Sequence, residues 1–385
     1  MLRAIIGATA LVFSVCSAAA QEPLKIGLIQ SMTGAFNTVG KAAVNGARLY
    51  IQQHGDTVAG RKIQLIVRDD TTSPETAKRL AQELIVNEKV AIIGAGITPS
   101  SLTIAPLVTE AKIPTVVMVS GASITVDRSA YMVRTSFTLG QSSAVIADWA
   151  AQNGTKKIAT IVNDWAPGLE AETAFKDRIS KSGVQIVESM RVPLANPDFA
   201  PFLQRARDLG PDTIFAYFPG NQSGIFAKQF VERGMDKSGI RLIGPGDLTD
   251  DDELPGMTDA MLGIITALHY SALHDSALNK AYVKDFEAAY GKRPNFISVG
   301  GYDGMHVIYE ALKKTGGKTD GDAMLAAMKG MKWESPRGPM SIDPETRDVV
   351  HNEYIRRVEK VNGQLYNVEL STVEAVKDPV RGAKK

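Results

Sequence analysis

Residues 94–103 read GAGITPSSLT, an uncharged stretch of small residues, hydroxyls and two glycines between an apolar run and a helical pattern. Bare amides and hydroxyls at the end of a strand can hold an anion through neutral donors, because the first amides of a helix have no intrahelical partner and carry the positive end of its dipole. A second set follows the next apolar run as SGAS, residues 120–123, with Gly121 and Ala122 offering backbone and Ser123 a hydroxyl. Read without further context, such hydroxyls are helix caps. Proton-transfer and metal chemistry find less support. The histidines are His54, His269, His274, His306 and His351, none in an H-E-x-x-H pattern, and no G-x-S-x-G elbow occurs. GAGITP imitates a dinucleotide loop, but Pro99 stands where the third glycine belongs, and the stretch follows the third strand rather than the first. No Walker loop and no metal-ligand spacing are present, so no enzyme activity, metal or cofactor is expected.

The elements that position these groups alternate in type. LKIGLIQS, KIQLIVRDD, VAIIGAG and PTVVMVS are short apolar runs, separated by amphipathic segments such as PETAKRLAQELIVNEK with Pro74 at its start. That rhythm predicts βαβ units around a parallel sheet buried on both faces. It restarts at QSSAVIADWAAQNG and runs through KKIATIVND, VQIVESMRV, DTIFAYF and IRLIGPG. Helices are expected over Lys280–Tyr290 and Asp303–Lys314, and a terminal hairpin turning at Asn362-Gly363.

A chain of 385 residues with 44% hydrophobic content suits two domains with cores of their own. Its 43 basic and 42 acidic side chains leave no basic stripe for nucleic acid or an anionic membrane. The first twenty residues place Arg3 before an apolar stretch and end in Ala18-Ala19-Ala20, the pattern of a cleaved secretory signal peptide. Cleavage there would remove Cys16, the only cysteine, and leave neither disulfide nor thiol nucleophile.

The ordered set LKIGLIQSMTGAFNTVGKAAVNGARL, VRDDTTSPETA, IIGAGITPSS, VSGAS, IVNDWAPG, YFPGNQSG, IGPGDLTD, GGYDG and GPMSID resembles the leucine/isoleucine/valine-binding protein family of bacterial ABC importers. The resemblance implies an α/β fold of two Rossmann-like lobes with parallel central sheets, joined by a three-crossover hinge, with ligand in the cleft. One lobe would take residues 24–140 and 268–352, the other 141–267 and 353–381, after a signal peptide at 1–20. It further implies a periplasmic monomer that captures a small carboxylate, closes, and delivers it to an ABC permease in the inner membrane. The same fold also serves ligand-sensing receptors.

On the resemblance, Thr98 aligns with a hydroxyl that binds the ligand carboxylate, and Gly121, Ala122 and Ser123 would complete the clamp, with Ser100 and Ser101 left as caps. The remaining wall is expected from aromatic and apolar residues at strand ends: Phe36, Trp165, Tyr217, Phe218, Pro219 and Tyr270. Pro167 stands where branched-chain amino-acid binders carry an aromatic residue. Their ammonium-binding carboxylate in a G-P-E turn is replaced by GPGD, which leaves Asp247 for that role. Asp247 facing inward would suit an amino acid. Facing out with the acidic run DLTDDDE, it would suit a plain acid of the benzoate or cinnamate type. The expectation leans to an amino acid or related carboxylate.

Overall fold

The structure is a computed structural model and describes residues 22–382. In chain order its first part comprises β1 (Leu24–Gln30), α1 (Asn37–His54), β2 (Thr57–Val58), β3 (Arg61–Asp69), α2 (Pro74–Val86), β4 (Ile92–Ala95), α3 (Thr98–Glu110), β5 (Thr115–Val117) and β6 (Met132–Arg134). These strands form a sheet of order β2-β3-β1-β4-β5-β6, parallel except for the β2–β3 pair.

The chain then enters a second unit: α4 (Leu139–Gln152), β7 (Lys157–Asn163), α5 (Ala166–Ile179), β8 (Gln185–Val192), α6 (Ala200–Leu209), β9 (Thr213–Tyr217), α7 (Asn221–Glu232), β10 (Arg241–Pro245) and β11 (Ile265–Leu268). It returns to the first with α8 (Ala277–Tyr290), α9 (Phe296–Lys314) and α10 (Gly321–Met328). It ends in β12 (Lys332–Ser335), β13 (Gly338–Ile342), β14 (Val349–Val361), β15 (Gln364–Val376) and α11 (Pro379–Gly382). The second sheet runs β12-β13-β14-β11-β10-β9-β7-β8, with β15 paired to β14. Its β8-β7-β9-β10-β11 portion is parallel, and β14 closes it antiparallel to β11. This is the expected α/β architecture of two largely parallel sheets.

Two details depart from the sequence reading. Strands β12 and β13 join the second sheet through β14, while the helices just before them, α8 to α10, pack on the first. And α9 begins at Phe296, seven residues before the expected start, capped by Asn295, whose side chain accepts from the Ser298 amide. Gly300 and Gly301 lie in the added first turns of α9, where they permit close packing. A Cβ on Gly301 would run into the carbonyl of Ala43 in α1, and one on Gly300 into the carbonyl of Met118. The hairpin turn is as expected, with Asn362 and Gly363 both at positive φ. The segment expected to be a signal peptide, residues 1–20, lies outside the described residues. Among the described residues no helix is long and apolar enough to cross a membrane.

Candidate functional site

The carboxyl ends of β4 and β5 in the first lobe face those of β7, β9 and β10 in the second. Ligands of open α/β sheets bind at such strand ends. The cleft between them has closed to a cavity of ≈ 40 Å³, well below the few hundred Å³ of a typical ligand pocket. Phe36, just before α1, stacks on Trp165, the residue that precedes α5, with ring centroids 5.4 Å apart and planes 19° from parallel. The lobes therefore touch ring to ring across the opening.

The first-lobe wall is made by neutral donors. Thr98 opens α3, and its Oγ1 lies 2.7 Å from Ser120 Oγ, which lies 2.8 Å from Thr125 Oγ1. Thr98, Ser120 and Gly121 line the cavity together with Val39, Ile97 and Val119. Gly121 lets the loop pack closely here: a Cβ would lie 3.0 Å from the ring of Phe137, which would have to shift. Arg134 holds this loop from behind: fully buried, it donates to the carbonyls of Ser120, Ala122 and Phe137 and to Asp348. Its charge stays out of the cavity, and no lysine, arginine or histidine among the described residues lines it.

The second-lobe wall is aromatic and acidic. Trp165, Pro167, Tyr217, Pro219 and Gly220 line it, and Phe137, Phe296 and Ile297 close the hinge side. Asp247, in the turn after β10, is buried and faces the cavity, with Oδ2 unpartnered. Burial pushes its pKa up to about 7, opposed in part by the nearby guanidinium of Arg356. The turn is held by Arg356, which donates to the carbonyls of Tyr270 (2.6 Å) and Gly246 (3.3 Å). The acidic run splits: Asp250 lines the cavity and accepts from Asn295 Nδ2 at 3.1 Å, while Asp251 and Asp252 pair with Arg293 and Lys292. Burial, reinforced by Asp252, holds the Asp250 carboxyl well above the usual range. Trp165 Nε1 is a buried donor without a partner. The cavity thus offers aromatic faces, an open acceptor and neutral donors.

Of the residues singled out from sequence, Phe36, Thr98, Gly121, Trp165, Tyr217, Pro219 and Asp247 meet at this cavity. Four do not. Phe218 points to the opposite face of its strand from Tyr217 and packs on Phe199 and Phe226, each at 4.6 Å; alternation along a strand allows only one of the two to face the cleft. Tyr270 is fully buried and donates to Asn279 Oδ1 at 3.1 Å. Ala122 contributes a carbonyl to Arg134, and Ser123 gives both its amide and its hydroxyl to Glu170 of α5, at 2.7–3.0 Å. Nor do Ser100 and Ser101 cap α3: they donate to Asp70 Oδ2 (2.5 Å) and the Gly96 carbonyl (3.0 Å). Sequence reading missed Phe137, Phe296, Asp250 and Ser120. The N-x-x-S box at Asn295–Ser298 could have placed Phe296 at a helix start.

Behind the hinge side, His269, His351 and Glu353 bring their ligand-type atoms within 4.8 Å. The two imidazoles stack at 4.9 Å, 18° from parallel, so their in-plane lone pairs do not converge on one ion. Burial drives both histidines well below their usual range and raises Glu353 to about 8, shifts that favour the uncharged form of each group.

Two α/β lobes meet over a cleft of neutral donors, aromatic rings and two buried carboxyls. The sequence profile of the periplasmic binding proteins matches residues 23–364, and the chain belongs to that family, which is non-enzymatic. It is 41% identical over 375 residues to Leu/Ile/Val-binding protein homolog 6 of Brucella suis biovar 1 (strain 1330), covering 96% of both chains. Among solved structures it is similar to an ABC-transporter solute-binding protein of Rhodopseudomonas palustris BisB5 in complex with 3,4-dihydroxybenzoic acid. That match has 60% identity and a TM-score of 0.92, and covers 93% of this chain and 99% of that one. A solute-binding protein of R. palustris HaA2 in complex with p-hydroxybenzoic acid is 41% identical with a TM-score of 0.91, at 94% and 100% coverage. The protein is an ABC-transporter solute-binding protein.

Proposed function

We propose that this protein captures a hydroxylated benzoate in the periplasm by lobe closure and hands it to an ABC permease. The observation that carries the reading is Asp247: an unpartnered buried acceptor at one end of an aromatic cleft whose other end holds neutral hydroxyls and amides. The ligand carboxylate takes Thr98 and the amides near Gly121. The ring lies among Phe36, Trp165, Tyr217, Phe137 and Phe296. A ring hydroxyl donates to Asp247, and a second one to Asp250. The ligands of the R. palustris relatives fit this chemistry.

An inward Asp247 was expected to mean an amino acid. That choice left out a phenolic hydroxyl, which needs the same acceptor without bringing a charge into it. A ring also makes better use of five aromatic side chains than an aliphatic amino acid would. The R. palustris relatives, in complex with hydroxybenzoates, support the aromatic acid over the amino acid. A thermal-shift panel tests the reading, since a ligand specific for the folded form raises the melting temperature by mass action. Hydroxybenzoates should shift it and leucine, isoleucine and valine should not; the reverse pattern would restore the amino-acid reading.

A further inference from the structure

The loop 120–123 faces two ways. Gly121 lines the cavity, while two residues later Ser123, at the start of a 3-10 turn, reaches the other lobe. There the Glu170 carboxylate accepts the Ser123 amide at 2.9 and 3.0 Å on its two oxygens, and the Ser123 hydroxyl at 2.7 Å. Glu170 does not line the cavity. It sits on α5 one turn beyond Trp165, the residue that meets Phe36. The amide at the start of a helical turn has no partner within the turn, so a carboxylate from the opposite lobe satisfies it only when the lobes are together. Arg134 fixes the loop by its grip on the carbonyls of Ser120 and Ala122. Burial, with Asp378 beside it, pushes the Glu170 carboxyl up to about 7, and the Ser123 hydrogen bonds and the Arg134 charge oppose that shift.

We propose that the Glu170–Ser123 contact is the clasp that holds the two lobes closed, making Glu170 a positioning residue for ligand retention that touches no ligand. The clasp explains why Ser123, whose type and place suit a ligand clamp, has its donors spent elsewhere. Opening must break the contact, so Glu170 governs release rather than encounter. The inference rests on capture by closure and not on which acid is bound.

The test compares Glu170→Ala, Glu170→Gln and Ser123→Ala with the parent protein by stopped-flow with 3,4-dihydroxybenzoate and by small-angle scattering without ligand. Glu170→Ala is expected to raise the dissociation rate about tenfold with association unchanged, as for loss of a contact made after encounter. Glu170→Gln, which keeps an acceptor for the Ser123 amide, should recover most of the loss, and Ser123→Ala should fall between. Equal dissociation rates in Glu170→Ala and parent, at matched melting temperature, would overturn the clasp. If 3,4-dihydroxybenzoate does not bind the parent protein, the ligand assignment fails and the scattering decides. A more extended Glu170→Ala supports the clasp, and superimposable curves remove it.

Discussion

Phe36 and Trp165 belong to different lobes, yet their rings stack at 5.4 Å across the mouth of the cleft. Separating the lobes would part the two rings, so the pair is a marker of closure and one wall of the space a ligand must enter. An aromatic ring inserted near it exchanges one stacking partner for another, which is why ring-shaped ligands suit this opening.

Replacing Trp165 with alanine should weaken binding of 4-hydroxybenzoate by about 1–3 kcal/mol, from lost stacking and lost burial. The melting temperature of the ligand-free protein should change little, because the indole is only half-buried. Isothermal titration and a thermal scan read the two effects separately; a lower melting temperature with intact affinity would make Trp165 a packing residue.

Thr98→Ala should weaken every carboxylate ligand alike, by about 1.5–3 kcal/mol, the worth of a hydrogen bond to a charged group. Titrations with benzoate and 4-hydroxybenzoate should show the same loss. A loss confined to the hydroxylated ligand would reverse the orientation proposed for the ligand.

Asp247 also makes stability depend on pH. Its pKa is about 7 in the folded protein through burial, against about 3.9 in an unfolded chain. The folded form therefore holds a proton that the unfolded form has released. The stabilisation is complete below pH 4 and is lost as pH rises to 7, up to a ceiling on the order of 4 kcal/mol. Melting temperatures of the ligand-free protein should fall across that window, and Asp247→Asn should flatten the fall. An identical slope in the variant would place Asp247 in contact with solvent.

Gly301 carries a prediction about the scaffold. An alanine there would drive its Cβ into the Ala43 carbonyl, forcing α9 and α1 apart at a cost of about 1–3 kcal/mol. Chemical denaturation should show a lower midpoint for Gly301→Ala, and Gly304→Ala, which meets only the flexible Met118 side chain, should cost less.

What the sequence made legible follows from how local each signal is. Strand–helix alternation and the turn at Asn362-Gly363 depend on neighbours within a few residues, and both appear where expected. Thr98 and Gly121 are strand-end residues, and the family resemblance together with that position led to them. The choice between Tyr217 and Phe218 needs the register of one strand, which an apolar run does not display. The fate of Ser123 depends on Glu170, 47 residues away in the chain and on the other lobe. Gly301 of α9 is explained only by the approach of α1. Asp247 faces the cavity, but its orientation alone does not separate an ammonium group from a phenol.

The most direct measurement is a titration cycle: wild-type protein and Asp247→Ala, each with 4-hydroxybenzoate and with benzoate. The account predicts that the wild type prefers the hydroxylated acid by about 1.5–3 kcal/mol, the range for a hydrogen bond to a charged group, and that the preference collapses in the variant. Equal affinities for the two acids in the wild type, or a preference that survives the loss of Asp247, would contradict it.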